Sequence, residues 1–303
     1  MQRVLSTYLY IQHRLTAAVL ADIFRAGIPA VELWCRRSHF DYRAPEVVRE
    51  AAEWLRDHPL RVHSLHAPTE RDFAPGRESG SPISIADPER VRRLDAVDEM
   101  KRALDVAEQI PFRLMIVHIG AARESSDPRK LEAAFNSLEH LSLFAKQRGV
   151  TLALENIPGE LAAPSNLRHL IEDTRLHDLR LCFDTGHAHL EDGVERSFEA
   201  MGDWMVTTHV HDNDGDKDEH LFPYEGSIDW DAALRLFAAA PVAGGLPVVL
   251  ELREQPARAN PLADVRRVFD RMETALNAAT PATKSAGTVA GQSAAPQKAP
   301  GTR

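Results

Sequence analysis

Short apolar runs rich in β-branched residues recur along the chain and alternate with longer segments of helical spacing. Each run is too short for a helix of normal length and is bounded by glycine, proline or polar residues, which is typical of buried strands. We therefore predict eight strands, at residues 4–11, 29–35, 60–67, 112–120, 150–156, 179–185, 204–211 and 246–252.

The segments between these runs have the period expected of amphipathic helices. The segment at residues 88–110 begins with Pro88 and is preceded by Asp87. This pair predicts an N-cap followed by proline at the first helical position. Residues 128–149 show the same spacing and end at Gly149. The apolar stripe predicted for the first of these helices comprises Val91, Leu94, Val97, Ala103, Leu104 and Ala107.

Eight successive strand–helix units predict a closed (β/α)8 TIM barrel. The alternative, a doubly wound open sheet, normally has a glycine-rich turn after its first strand, and none is present there. We predict one barrel domain over residues 1–278. Residues 279–303 are small and polar, so they cannot bury enough apolar surface to offset their ordering entropy and are predicted to form a disordered tail.

The bulk composition limits the classes of partner. A net charge of −9 over 303 residues gives no basic field for nucleic acid, which makes a nucleic-acid partner unfavoured. Cys35 and Cys182 are too few for a disulfide framework and fit a reduced compartment. With no signal-peptide pattern and no apolar run of about 18 residues, we expect a cytoplasmic protein without a membrane partner. Homo-oligomerisation is left open.

Side chains that can bind metal follow the predicted strands from the third onward. In a barrel, the carboxyl ends of all strands meet at one mouth, where active sites lie. Carboxylates buried together repel one another, and a divalent cation offsets that repulsion. Imidazoles and carboxylates together favour Zn, Mn, Fe or Co. The residues are His66, His118, Glu155, Asp184, His187, His209 and Glu251, with Asp218 and His220 in the loop after the seventh strand.

The stretch 209–220, HVHDNDGDKDEH, completes this predicted metal site. Its remaining polar residues are interpreted as solvated groups or as groups that orient the ligands, rather than as ligands. They are Asp212, Asp214, Asp216 and Glu219, with His211 and the nearby His189 in orienting or structural positions.

At these residues the chain resembles the xylose-isomerase-like barrel superfamily, which contains sugar and sugar phosphate isomerases and epimerases and the endonuclease IV family. The resemblance runs from the first strand to the eighth and leaves out the tail. The motifs that carry it occur in the family's order: HAP, VHIG, LENIPG, DTGHA, HVHDND, DEHLFPYEG and LEL. The chain departs from the nucleases at Thr69, where they tend to carry an aromatic residue, and at Tyr224, where a glycine is expected.

The resemblance implies two ligand sets. The isomerases and epimerases usually hold one metal, here with Glu155, Asp184, His209 and Glu251, and His187 would then contact substrate. The endonuclease IV family implies three zinc ions, held by His66, His118, Glu155, Asp184, His187, His209, Asp218, His220 and Glu251. We therefore expect one to three divalent ions, zinc or manganese, with cobalt and iron as alternatives.

We weigh three functions, of which the resemblance implies the first two. The first is an isomerase or epimerase of a small sugar, sugar phosphate or polyol, in which Glu155 and Glu251 move a proton on carbon and His187 stabilises charge on a substrate oxygen. The second is a metal-dependent phosphodiesterase for abasic DNA, although no loop interleaves basic and aromatic residues as duplex binding requires. The third is a barrel that binds a metabolite without turnover. Predicted substrate contacts are Arg71, Arg77 and Glu225.

Overall fold

Eight parallel strands pair in sequence order, and the eighth pairs with the first, so that the sheet closes into a barrel. The computed structural model describes residues 1–71, 80–174, 176–242 and 245–279. The predicted TIM barrel is therefore confirmed. The strands are β1 Arg3–Ser6, β2 Ala30–Trp34, β3 Arg61–His66, β4 Leu114–Val117, β5 Thr151–Glu155, β6 Arg180–Asp184, β7 Met205–Val210 and β8 Val248–Leu250.

The helices that connect the strands form the outer layer. They bury aliphatic and aromatic side chains against the outward faces of the strands in one large hydrophobic core. Among the residues described, no helix has the length and apolarity to span a membrane. The helices are α1 Ala17–Arg25, α2 Pro45–Asp57, α3 Arg90–Leu104, α4 Pro128–Lys146, α5 Pro164–Thr174, α6 Thr185–Leu190, α7 Val194–Met201, α8 Trp230–Ala239 and α9 Pro261–Ala279.

The start of α3 differs from the prediction. The helix begins at Arg90, and Asp87 instead accepts the backbone N–H of Glu89 at 2.8 Å in the turn before it. Val97, Ala103 and Leu104 are buried as predicted, whereas Val91 is 66% exposed and Leu94 is 49% exposed, because the face that packs inward is shifted away from these two residues. That face comprises Ala96, Val97, Glu99, Met100, Ala103 and Leu104.

The chain ends of the barrel also differ from the predicted bounds. The first strand ends at Ser6, and Thr7–Tyr10 form a 3-10 helix rather than more strand. At the other end α9 reaches Ala279. The rest of the predicted tail, 280–303, lies outside the described residues and stays a prediction.

The strands alternate between the outer core and the barrel interior with a period of two. On the inward face a small apolar residue lies two positions before a polar one, which is closer to the carboxyl end of the strand. Examples are Ala153 and Glu155 of β5, and Cys182 and Asp184 of β6. The same relation holds for Ala30 and Glu32 of β2. This alternation fills the lower barrel with apolar side chains and leaves a polar layer at the carboxyl ends.

Candidate metal centre

The carboxyl ends of β5 to β8 bring one group of predicted ligands together, which we call the central subsite: Glu155, Asp184, His209 and Glu251. Nδ1 of His209 lies 3.1 Å from a carboxylate oxygen of Glu155 and 2.9 Å from one of Glu251. It lies 4.0 Å from Asp184. All four side chains are buried, so the three carboxylates converge on one imidazole nitrogen away from water.

Two more predicted ligands meet Glu155 on its other oxygen. Nε2 of His66, the last residue of β3, lies 3.2 Å from Glu155 Oε2, and Nε2 of His118 lies 3.1 Å from the same atom. Glu155 therefore presents one oxygen to this histidine pair and the other to His209. A carboxylate in this position is suited to bridging two cations.

The loop after β7 supplies a third group. Oδ2 of Asp218 lies 3.3 Å from Nε2 of His187 and 3.2 Å from Nε2 of His220. His187 is on the short helix α6, which follows β6 directly and is capped by Asp184 through the N–H of His187. All nine predicted ligands thus lie at one mouth of the barrel.

Backbone carbonyls fix the orientation of three of these imidazoles. Nδ1 of His66 lies 2.8 Å from the carbonyl of Ala67, and Nδ1 of His187 lies 2.9 Å from that of Asn156. Nδ1 of His220 lies 2.9 Å from the carbonyl of Glu251. A carbonyl can only accept, so each Nδ1 carries a proton, and each Nε2 is the nitrogen that faces the site and offers its lone pair there once it is deprotonated. This is the arrangement in which histidine binds a metal.

The donor set fits divalent cations of the zinc type. Two ligand atoms about 2.1 Å from one ion at a tetrahedral angle lie about 3.4 Å apart, close to the nitrogen–oxygen separations given above. Several buried polar atoms also have no hydrogen-bond partner in the protein, and such atoms are costly unless an ion or water satisfies them. They include Glu155 Oε1, His209 Nδ1, Asp218 Oδ1 and Glu251 Oε2.

The electrostatics of the site also fit a bound divalent cation. Burial opposes the ionisation of Glu155, yet His209 and His118 hold the pKa of its carboxyl well below the usual value. Burial also opposes charge on His209, while Cys182 and the carboxylates of Glu155 and Glu251 raise the pKa of that imidazole well above normal. Protonated imidazoles thus balance the buried carboxylates, and a divalent cation performs the same balancing with a larger charge.

One buried acid was missed by the sequence analysis. Glu32, in the middle of β2, is fully buried, receives a hydrogen bond from Ser64 at 2.7 Å and lies 3.2 Å from His209 Nε2. The signal in the sequence was a single acidic residue inside an otherwise apolar strand. Such a residue requires a buried partner.

The acidic loop is less uniform than predicted. Asp214 and Asp216 are exposed, in agreement with solvated positions. Asp212 is instead fully buried and accepts from the N–H of Tyr224 at 2.9 Å, the N–H of Ile228 at 3.2 Å and the indole of Trp230 at 2.7 Å. It holds the loop together.

Two of the predicted substrate contacts, Arg71 and Glu225, lie against charged neighbours within the protein. Arg71 donates to the carbonyl of Arg92 at 3.3 Å and lies 3.6 Å from Asp95. Glu225 forms a two-pronged ion pair with Arg258. Arg77 lies outside the described residues. The cavity at the mouth, about 560 Å³, is bordered by His118, His187 and Asp218 and by neither Arg71 nor Glu225.

Comparison with known proteins identifies the family of this barrel. Residues 20–275 match the family described as xylose isomerase-like TIM barrel. The chain belongs to that family. Uncharacterized protein y4fM of Sinorhizobium fredii is 26% identical over 197 residues, which span 59% of this chain and 63% of that protein, a little under two thirds of its length. A probable endonuclease 4 of Natronomonas pharaonis is 26% identical over 64% of this chain and 74% of its own.

Solved structures share the fold at lower identity. A D-tagatose 3-epimerase-like protein superposes with a TM-score of 0.74 at 21% identity, covering 92% of this chain and 99% of its own. The IOLI protein, whose structure contains a zinc atom, gives a TM-score of 0.71 at 14% identity, with 92% and 99% covered. Both structures share the barrel fold over 92% of this chain.

Proposed function

We propose that the protein is a divalent-metal-dependent isomerase or epimerase of a small sugar or polyol-derived carbonyl compound. The observation that carries this proposal is the position of Glu155 and Glu251, which come from separate strands and converge on the same nitrogen of His209 at 3.1 and 2.9 Å. Two carboxylates on either side of a substrate can remove a proton from carbon and return it. The solved epimerase-like structure of the same fold supports this assignment.

A divalent ion bound at the central subsite supplies positive charge that lowers the cost of an enediolate. Glu155 is held ionised, because His209 and His118 outweigh the effect of burial and keep its pKa well below normal. An ionised carboxylate is ready to accept a proton from the carbon next to a carbonyl. Glu251, which lies 2.9 Å from the same nitrogen of His209, is the proposed group that returns a proton.

For His187, two roles were predicted, and we favour binding a metal over contacting substrate. Its Nδ1 lies 2.9 Å from the carbonyl of Asn156, which directs Nε2 toward Asp218 at 3.3 Å. His118 borders the mouth cavity and its side chain is 18% exposed. We propose His118 as the imidazole nearest to an incoming substrate.

Cleavage of abasic DNA is the second candidate, favoured by the convergence of all nine predicted ligands at one mouth of the barrel and by the endonuclease 4 relative. The charge at the mouth opposes it. Besides the proposed ligands, the cavity is bordered by four carboxylates, with Arg123 as the one arginine or lysine side chain among the described residues that line it. Such a rim repels a phosphate backbone and favours an uncharged sugar over its phosphate. The carboxylates are those of Glu124, Glu160, Glu191 and Asp216.

Proton transfer can be tested even when the product is not identified. The metal-loaded protein is incubated in D2O with a panel of ketoses, aldoses and their phosphates, and NMR follows deuterium entering the carbon next to the carbonyl. We expect exchange on an unphosphorylated sugar, abolished in Glu155→Gln and Glu251→Gln. Asp214→Asn, an exposed change in the same loop, serves as the control that keeps wild-type exchange.

The same preparations are incubated with an abasic duplex and with an intact duplex. Metal-dependent nicking of the abasic strand at low enzyme, together with no deuterium exchange on any sugar, would replace the isomerase proposal with the phosphodiesterase. Sugar binding that Glu251→Gln leaves intact, with neither exchange nor nicking in the wild type, would favour a binding protein.

A further inference from the structure

The imidazole of His211 fills a space that the absence of a side chain at Gly186 leaves open. The residue is fully buried at the end of β7, and its ring lies directly over Gly186. A Cβ at residue 186 would lie 2.0 Å from Cε1 of His211, so any side chain there would displace the imidazole. The glycine of the DTGHA motif therefore makes room for this ring.

The hydrogen-bonding capacity of His211 is not met by the protein. Its Nδ1 is buried and has no partner. Its Nε2 lies 3.1 Å from Asp184 and 3.8 Å from Oδ1 of Asp218, an oxygen that is itself buried without a partner. The ring stacks on that of His220, with centroids 4.0 Å apart and planes at 19°. The Nε2 of His211, whose partner in the protein is Asp184, and the unpartnered Oδ1 of Asp218 lie 3.8 Å apart, a separation that leaves room for an ion between them.

Four side chains here each offer one ligand atom, and these atoms all lie within 4.8 Å of one another. We propose that His211 is the fourth ligand of a closed metal site completed by His187, Asp218 and His220, which we call the loop site. The family resemblance implies only the other three residues. His211 raises the set to three imidazoles and one carboxylate.

The number and kind of ligands set the role of this ion. Four protein ligands complete the tetrahedral shell of zinc and leave no open position, which is typical of structural rather than catalytic zinc sites. The loop site joins α6, through His187, to the loop after β7, through Asp218 and His220. The ion would fasten that loop over the barrel mouth, and it does so whichever reaction the central subsite performs.

The first test counts ions. Wild-type protein, His211→Asn and His189→Asn are loaded with zinc, dialysed against metal-free buffer and assayed for zinc per chain by elemental analysis. His189 is the matched control, because it is a neighbouring histidine that contacts Ser227 at 2.8 Å and takes no part in the loop site. We expect His211→Asn to retain one zinc fewer than the other two proteins.

Competition with a chromogenic chelator separates a ligand from a residue that only orients one. Loss of an orienting partner weakens metal binding by about 10–100-fold, so we expect His211→Asn to weaken the loop site by more than about 100-fold. Equal zinc content and equal affinity in His211→Asn and the wild type would overturn the proposal. A loss within the orienting range, with full zinc content at saturation, would assign His211 to orienting Asp184 instead.

A measurement on the wild type covers the case in which His211→Asn does not fold. In the cobalt-substituted wild type, a closed four-ligand site gives the strong visible absorption of tetrahedral cobalt, and that absorption is unchanged when sugars are added. Absence of a tetrahedral signal, or its replacement by a weaker one when sugar or phosphate binds, contradicts a closed site. Since neither measurement depends on turnover, failure of the isomerase proposal and failure of this one remain distinguishable.

Discussion

The carboxylate of Glu32 lies 3.2 Å from Nε2 of His209, on the side of the ring opposite to Glu155 and Glu251. Burial opposes ionisation of Glu32, but the charge and hydrogen bond of His209 hold the pKa of its carboxyl down at about 2. An ionised Glu32 keeps the proton of His209 on Nε2. Nδ1 is then the nitrogen that faces the central subsite and would offer its lone pair to a bound cation, as in carboxylate–histidine–metal triads.

We predict that Glu32→Gln weakens metal binding at the central subsite by about 10–100-fold, because glutamine keeps the shape of the side chain but removes the charge that orients and polarises His209. Isothermal titration with zinc or manganese measures the loss. Ser64→Ala is the control, since it removes only the hydrogen bond from Ser64 to Glu32 and is expected to have a smaller effect. Unchanged affinity in Glu32→Gln would show that His209 is oriented without Glu32.

Asp212 leads to a prediction about stability rather than metal binding. We expect Asp212→Ala to lower the free energy of unfolding by about 3 kcal/mol, because it leaves the buried indole N–H of Trp230 and the backbone N–H groups of Tyr224 and Ile228 without an acceptor. Urea denaturation measures the change. Asp214→Ala, at an exposed position in the same loop, is expected to stay within about 0.5 kcal/mol of the wild type. Equal effects of the two substitutions would contradict this role.

The ligands at strand ends were predictable because strand ends in a barrel converge, whatever the details of packing. His66, Glu155 and Asp184 needed only the strand bounds and the closure of the sheet. Glu32 and Asp212 needed three-dimensional partners: the first lies within a strand that reads as apolar, and the second within a run of acids that reads as solvated.

Helix faces and surface contacts were harder to predict for a related reason. The spacing of Val91 and Leu94 fits a helical stripe, but the face that packs is decided by how α3 lies against α4 and the barrel. Arg71 and Glu225 were predicted to contact substrate. In the structure Asp95 lies 3.6 Å from Arg71, and Arg258 pairs with Glu225. Each side chain thus has an oppositely charged neighbour that the linear sequence does not reveal.

Tyr224 stands where the sequence analysis expected glycine, and its backbone has the left-handed φ of 75° that explains the expectation. The side chain offsets the cost of this backbone conformation, because Cζ of Arg271 lies 3.4 Å from the centroid of the Tyr224 ring in a cation–π contact. We predict that Tyr224→Ala destabilises the fold by about 1 kcal/mol, because the contact is lost and the backbone cost stays. Tyr224→Gly is expected to be more stable than Tyr224→Ala by about 1 kcal/mol, the cost of left-handed backbone in a residue with a Cβ. Thermal unfolding of both variants checks the order, and the reverse order would refute it.

The metal-free protein should lose stability as the pH rises above neutrality. Burial disfavours charge on His220, but Tyr8 and Asp218 raise the pKa of its imidazole from 6.5 to about 10. The folded state then binds more protons than the unfolded state between these values. The contribution of His220 is therefore complete below about pH 6.5 and is lost as the pH rises through about 10.

Zinc should remove much of this dependence, because the ion takes the lone pair of His220 and the folded state then holds no extra proton on that ring. Urea unfolding across this pH window, for chelator-treated and zinc-loaded protein, measures both slopes. We expect the metal-free slope to be shallower in His220→Asn and unchanged in His189→Asn, whose histidine lies outside the cluster. Metal-free protein that gains stability as the pH rises would show that His220 is neutral in the folded state, with Asp218 balanced by another group.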